Sequence, residues 1–210
     1  MLGRGAKSDS TASFAVVWAN LRKRPAGSRR ILVTAASSGD DATMAALALA
    51  DAAVRLDGAS GLVLVVDSAR RNRRVPQSPA PSVRIMVAVS PTRVRAIVSQ
   101  LGEQFDFVIV VAPPPQRGPD CISVAAVADA AILVTRSGGT RFGEAQLAAE
   151  LLRQAGVMTV AALLLTRRIW KSGKSVDAPA VEEPGQIAEL RPRADVTERR
   201  EASAGVELLS

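Results

Sequence analysis

The sequence predicts an α/β domain, a doubly wound and mostly parallel sheet with helices on both faces, and three observations lead there. Short apolar, β-branched runs alternate with segments of helical periodicity along most of the chain, the order that parallel crossover connections produce. Hydrophobic residues make up 48% of the 210 residues while aromatics make up only 3%. The interior therefore has to be assembled from Ala, Val, Leu and Ile, as in a buried sheet between Ala-rich helices. A chain of this length buries a core of its own, and Cys121, its single cysteine, cannot form an intramolecular disulfide.

The elements follow in order. Residues 1–11 are polar and are expected to be a disordered N-terminus. Phe14, Val17, Trp18 and Leu21 fall at helical spacing and predict a helix over 12–23, with Trp18 in the core. Arg29 and Arg30 lead into a strand over 31–36, the loop SSGDD and an Ala-rich helix over 42–55. A strand over 61–66, a basic Pro-containing loop over 68–82 and a strand over 83–89 come next. Pro91 is suited to a first helical position, with Val94, Ile97, Val98 and Leu101 on the buried side. Strands over 107–111 (stopped by Pro113, Pro114 and Pro115) and 130–135, a helix over 142–155 and a strand over 157–165 complete the series. From Lys171 onward the chain is polar with charges of both signs, so the domain is expected over 12–170 and a disordered tail over 171–210.

Composition narrows the function. There is no His and no Tyr, which excludes mechanisms that need either within this chain. The net charge of +7 permits weak attraction to nucleic acid, anionic lipid or an acidic partner without choosing among them. The N-terminus lacks the apolar stretch of a signal peptide, and the run over 155–166 is too short to span a bilayer. The expected location is the cytoplasm, with the inner face of the membrane reached through a partner.

In a doubly wound sheet the ligand sits at the carboxyl ends of the strands, and the first strand-to-helix loop is where phosphates are held. That loop is 35–43. A working phosphate loop reads G-x-x-x-x-G-K-S/T: glycine admits backbone N–H groups to the phosphates, lysine supplies charge and the hydroxyl reaches magnesium. Here the residues are Gly39, Asp40, Asp41, Ala42 and Thr43.

Those residues carry a resemblance. ILVTAASSGDDAT lies over ILVTSAxPGEGKST of the bacterial tyrosine kinases that control capsule and exopolysaccharide export. SFAVVWANLR resembles EAFRTLRTNLR, LVLVVDSARR resembles VLLVDADLRR, FDFVIVVAPPP resembles YDYVIIDTPP, and VADAAILVTRSGGT resembles LADGVLLVVRAGKT. AELLRQAGVMTVAALLLTR resembles the closing helix and strand. The match runs over about residues 12–168 in the same order and implies a P-loop NTPase-like, three-layer domain related to ParA and MinD.

Each motif keeps its apolar frame and loses its chemistry. Ala42 replaces the lysine, removing charge-assisted hydrogen bonds worth about 1.5–3 kcal/mol each. Asp41 replaces a glycine, and a carboxylate about 4 Å from phosphate costs about 4 kcal/mol at an effective dielectric near 20. Val111 stands where the resemblance places the metal-side acid, and Ala12, Ala15 and Trp18 stand where it places the E-x-x-R-x-x-R assembly pattern. The tail has none of the family's acceptor tyrosines. Thr43 and Asp67 survive at the positions of the hydroxyl and the second acidic motif, against the alternatives of a helix residue bonding its own backbone and a turn cap.

The degenerate nucleotide site therefore comprises Gly39, Asp40, Asp41, Ala42, Thr43 and Asp67, with no catalytic residue, no metal ligand and no cofactor expected. The implied function is a pseudo-ATPase or pseudokinase, a cytoplasmic scaffold docked on a membrane chain-length regulator or on an active kinase of polysaccharide export. One alternative is an ATP-binding protein or tyrosine autokinase with an unorthodox site, taking ATP and magnesium, in which one of the arginines over 71–74 replaces the lysine. Another is a ParA/MinD-like partition ATPase relative holding DNA nonspecifically. Arg70, Arg71, Arg73 and Arg74, with Arg22, Lys23, Arg24, Arg29 and Arg30, form either a patch for phosphate or acidic protein surface or a solvated loop, and aromatics are too scarce for a stacking platform, so no specific nucleic acid is expected. Arg167, Arg168, Trp170, Lys171 and Lys174 are a weaker candidate for a partner-binding or membrane-surface edge.

Overall fold

The structure is a computed structural model that describes residues 14–21, 23, 29–38, 40–57, 63–69, 75–76, 80–88, 90–157, 159–165 and 175–176. The chain divides into two units, Met1–Ala180 and Val181–Ser210, and every described residue belongs to the first.

Helix α1 covers 14–21 and is followed by β1 (Arg30–Ala35), α2 (Ala42–Asp57), β2 (Val63–Asp67), β3 (Val75–Pro76), β4 (Val83–Val87) and α3 (Pro91–Leu101). Then come β5 (Phe107–Ala112), α4 (Pro119–Ala125), β6 (Ala130–Arg136), α5 (Phe142–Gln154), β7 (Thr159–Leu165) and β8 (Ser175–Val176). Six strands form one sheet in the order β4-β2-β5-β1-β6-β7. Every pairing in it is parallel, with Ile31 opposite both Ile109 and Ala130.

Strand alternation sorts the side chains into two interiors. Ile31, Val33, Val63, Val65, Ile109, Val111, Ile132 and Val134 share a cluster with Phe14, Trp18, Leu21 and the buried face of α2. Ala45, Ala46, Ala50 and Ala53 give α2 a flat buried surface, which lets the helix lie close to the sheet. Trp18 is 0% exposed and meets Phe107 edge-on at 4.4 Å, the largest side chain in a mostly aliphatic core. On the other face α4 packs against β1 and β5 and α5 against β6 and β7, making the third layer.

Local chemistry sets the helix ends. Ser90 caps α3 by accepting from Arg93 N at 3.3 Å, with Pro91 next as expected. The buried residues of α3 are the four that periodicity predicts: Val94, Ile97, Val98 and Leu101. Helix α5 ends at a left-handed glycine, Gly156 with φ 80°, whose N–H donates to Arg153 O at 3.0 Å while Val157 N reaches Leu152 O at 3.1 Å.

Three features depart from the expectation. Helix α4 lies where the sequence reading assigns no element: seven residues behind a proline cluster are too short to display a period. Strand β3 interrupts the expected 68–82 loop, and its partner β8 lies within the expected tail, pairing antiparallel with Val75 opposite Val176. The remainder of that tail, residues 1–11, and the arginines at 70, 71, 73 and 74 lie outside the described residues, as do Arg22, Arg24 and the 166–174 segment. Among the described residues no helix is long and apolar enough to cross a membrane.

Candidate functional site

Strand β1 lies between β5 and β6. The carboxyl ends of these three strands therefore open onto one place, and the turns after them are brought together there. The turn after β1 is closed from both directions: Asp40 N donates to Ser37 O at 3.2 Å, and Ser37 N donates to Asp40 Oδ2 at 3.2 Å. Gly39, between them, lies outside the described residues.

The Asp40 side chain is 0% exposed. Besides Ser37 N, its Oδ2 accepts the Thr140 hydroxyl at 2.6 Å. The direction is fixed because Thr140 Oγ1 itself accepts Arg136 N at 2.8 Å and must turn its proton to the carboxylate. Asp40 Oδ1 accepts no hydrogen bond and faces Arg136 Nε at 3.8 Å, an ion pair of loose geometry. The Arg136 side chain, 45% exposed, leaves the end of β6 and lies over Gly139. A Cβ on Gly139 would stand 2.4 Å from Arg136 Nε, so the absence of a side chain there is what admits the guanidinium.

The neighbouring aspartate behaves differently. Asp41 Oδ1 accepts Met44 N at 3.1 Å, an N-cap bond that satisfies a free amide of the first turn of α2. Sequence places Asp41 as the repelling charge over the phosphates; in the structure that carboxylate is turned to its own helix, and Asp40 supplies the buried charge of the turn. Ala42, at the lysine position, is a buried core residue.

Thr43 and Asp67 come together. The Thr43 hydroxyl donates to Asp67 Oδ2 at 2.7 Å, with both residues buried, and Asp67 Oδ1 accepts Ala69 N at 2.9 Å. Thr43 therefore bonds across the site, in place of the helix backbone bond that was its alternative. Asp67 combines the turn-cap role with a contact to the phosphate-loop hydroxyl. Val111 is 0% exposed and its side chain belongs to the apolar cluster, while its carbonyl accepts Ser68 Oγ at 2.7 Å and Ser68 N at 2.8 Å.

Residues that sequence did not single out complete the arrangement. Gln116 Nε2 donates to Ala36 O at 3.0 Å and to Glu144 O at 2.8 Å, tying the turns after β1 and β5 to the start of α5. Thr34 Oγ1 donates to Pro113 O at 2.9 Å on the opposite face of β1. Beside it Cys121 is fully buried, and burial pushes its thiol up to about 11, partly offset by a 3.7 Å contact with Thr34 Oγ1. That thiol is a core group at neutral pH. Arg136 and Thr140 carried one available signal: a parallel sheet with β6 beside β1 sets the run RSGGT against the first turn.

No family model and no curated protein matches the sequence. Solved structures do. The kinase domain of the Escherichia coli tyrosine kinase ETK superposes with a TM-score of 0.62 at 19% identity over 78% of this chain and 79% of that one. The chimerical protein CapA2B2 gives a TM-score of 0.62 at 16% identity, covering 74% of this chain and 84% of that one. The VpsO kinase domain gives 0.60 at 14% identity, covering 78% of this chain and 99% of that one. At these identities the likeness establishes the fold: the chain is a three-layer, P-loop NTPase-like α/β domain with the architecture of bacterial tyrosine kinase domains.

Proposed function

We propose that the chain is a non-catalytic relative of the capsular tyrosine kinases, acting as a regulatory or scaffold subunit in exopolysaccharide or capsule biosynthesis and export. The observation that carries this reading is the Asp40 carboxylate, buried in the turn where a phosphate loop holds its anion and engaged there by Ser37 N and Thr140, with Arg136 facing it. A nucleotide phosphate entering that turn meets a fixed negative charge in a poorly solvated place, where repulsion is strong. Ala42 supplies no charge to offset it, and Val111 supplies no acid for magnesium. The partner fitting this reading is a membrane chain-length regulator or an active kinase of the same export system, met at the cytoplasmic face of the membrane.

A second reading keeps nucleotide binding. The Thr43–Asp67 pair is intact at 2.7 Å, and Arg136 lies beside the turn as a cation in place of the missing lysine. Calorimetry with Mg-ATP separates the two. Millimolar Mg-ATP is expected to give no binding heat, no thermal shift and no phosphate release with the full chain. Saturable heat with a micromolar Kd would overturn the non-catalytic reading in favour of the second.

A further inference from the structure

We propose that Asp40, Thr140 and Arg136 form an autoinhibitory latch. The chain's own carboxylate holds donors that suit a phosphate-class oxyanion, so anion binding at this turn is masked and not erased. The proposal rests on the reading above, in which the native turn holds no nucleotide.

The donors argue for it. A backbone amide (Ser37 N), a hydroxyl whose proton is committed by its own acceptor bond (Thr140), and a guanidinium (Arg136) converge on one carboxylate. Amide, hydroxyl and guanidinium together make a set that recognises oxyanions. A turn that needed only local closure would be served by the Ser37–Asp40 bond alone. The bond to Thr140 reaches a hundred residues along the chain to a different strand end, where Arg136 also faces the carboxylate.

The fit is also incomplete. Asp40 Oδ1 is buried without a hydrogen bond, and Arg136 Nε stays at 3.8 Å from it, too far to pair closely. The carboxylate, fixed to the backbone of this turn, satisfies Ser37 N and Thr140 and leaves Arg136 at 3.8 Å, whereas a free tetrahedral anion presents more acceptors and chooses its own position. Gly139 leaves room for the guanidinium beside the turn, since a Cβ there would fall 2.9 Å from Nη2 and 3.0 Å from Cζ. Carboxylate and incoming anion compete for the same donors, so one has to leave for the other to bind.

Titration of the full chain with pyrophosphate, followed by calorimetry, tests the latch. Asp40→Ala is expected to bind pyrophosphate at least tenfold more tightly than the native chain, and adding Arg136→Gln is expected to remove the gain. Should Asp40→Ala fail to fold, Asp40→Asn keeps the shape and an acceptor for Thr140 while removing the charge, and a gain of at least threefold is expected from it. A folded, neutral variant that binds no better than the native chain overturns the latch, as does a gain that survives Arg136→Gln. The two readings fail separately: native binding of Mg-ATP removes the non-catalytic reading, whereas absence of a pyrophosphate gain removes only the latch.

Discussion

The two ends of the central sheet use the same device at different depths. At the amino end, Asp129 Oδ2 accepts Arg29 N at 2.9 Å and Arg30 N at 2.8 Å, joining the start of β6 to the start of β1. At the carboxyl end, Asp40 Oδ2 likewise takes two donors and Asp67 ties the turn after β2 to α2. Asp129 is exposed, while Asp67 is 0% exposed and the Asp40 side chain is sealed. Water can replace a lost partner at the first end and cannot at the second. The amino end is therefore a splice between strands, and at the carboxyl end the polar groups depend on partners within the protein, Asp40 Oδ1 being the exception that meets only Arg136 Nε at 3.8 Å.

The largest expected effect tests the buried side of that contrast. Asp67→Ala leaves the Thr43 hydroxyl and Ala69 N without their acceptor in a water-poor interior, and the expected loss is about 3 kcal/mol of unfolding free energy. Urea denaturation checks it through the midpoint at constant slope. The double replacement Thr43→Val with Asp67→Ala should cost less than the sum of the two single changes, because the second removes a group the first has already stranded. Additivity would mean that the 2.7 Å bond contributes no coupling.

The exposed side predicts a smaller change. Asp129→Ala removes two bonds to backbone amides at the amino end of the sheet, for an expected cost of about 1 kcal/mol, since the freed amides can turn to solvent. The neighbouring Arg30–Glu103 pair, at 3.4 Å with side chains 40% and 78% exposed, should add almost nothing. A loss from Asp129→Ala as large as that from Asp67→Ala would break the distinction between the two ends.

Much of this architecture is legible in the residues. Fully buried parallel strands read as continuous apolar runs, which is why ILVTA, VLVV and VIVV announce β1, β2 and β5. The buried stripe of α3 is visible for the same periodic reason. Helix α4 and the β3–β8 pair were hidden because a seven-residue helix and a two-residue ladder carry no period. At the site, Thr43 and Asp67 were found through motif position, but the division of labour between Asp40 and Asp41 was not. Adjacent carboxylates look alike in sequence, and only the start of α2 decides that one caps the helix while the other turns inward. The Asp40 partners are legible only once β6 is set beside β1, because the bond to Thr140 spans a hundred residues.

A second carboxylate outside the core extends the exposed case. Glu150 on α5, with 42% of its side chain exposed, takes Arg153 Nε at 2.8 Å and Nη2 at 2.7 Å, and Gln154 Nε2 at 2.9 Å. The Arg153 bonds, followed by the Gln154 bond, hold its carboxyl well below the usual range, at about 2 against an ordinary 4.5. A folded-state pKa below the unfolded one means that the unfolded chain binds the proton more readily, so whatever stability the pair contributes is present above about 4.5 and is lost as pH falls toward 2. The difference in melting temperature between the native chain and Glu150→Gln should therefore shrink across that window, and added salt should shrink it further because an exposed pair is screened. A carbon-detected NMR titration of Glu150 with its midpoint at the ordinary value in low salt would show that these three donors do not hold a charge at this surface. The contrast between the two ends of the sheet would then rest on burial alone.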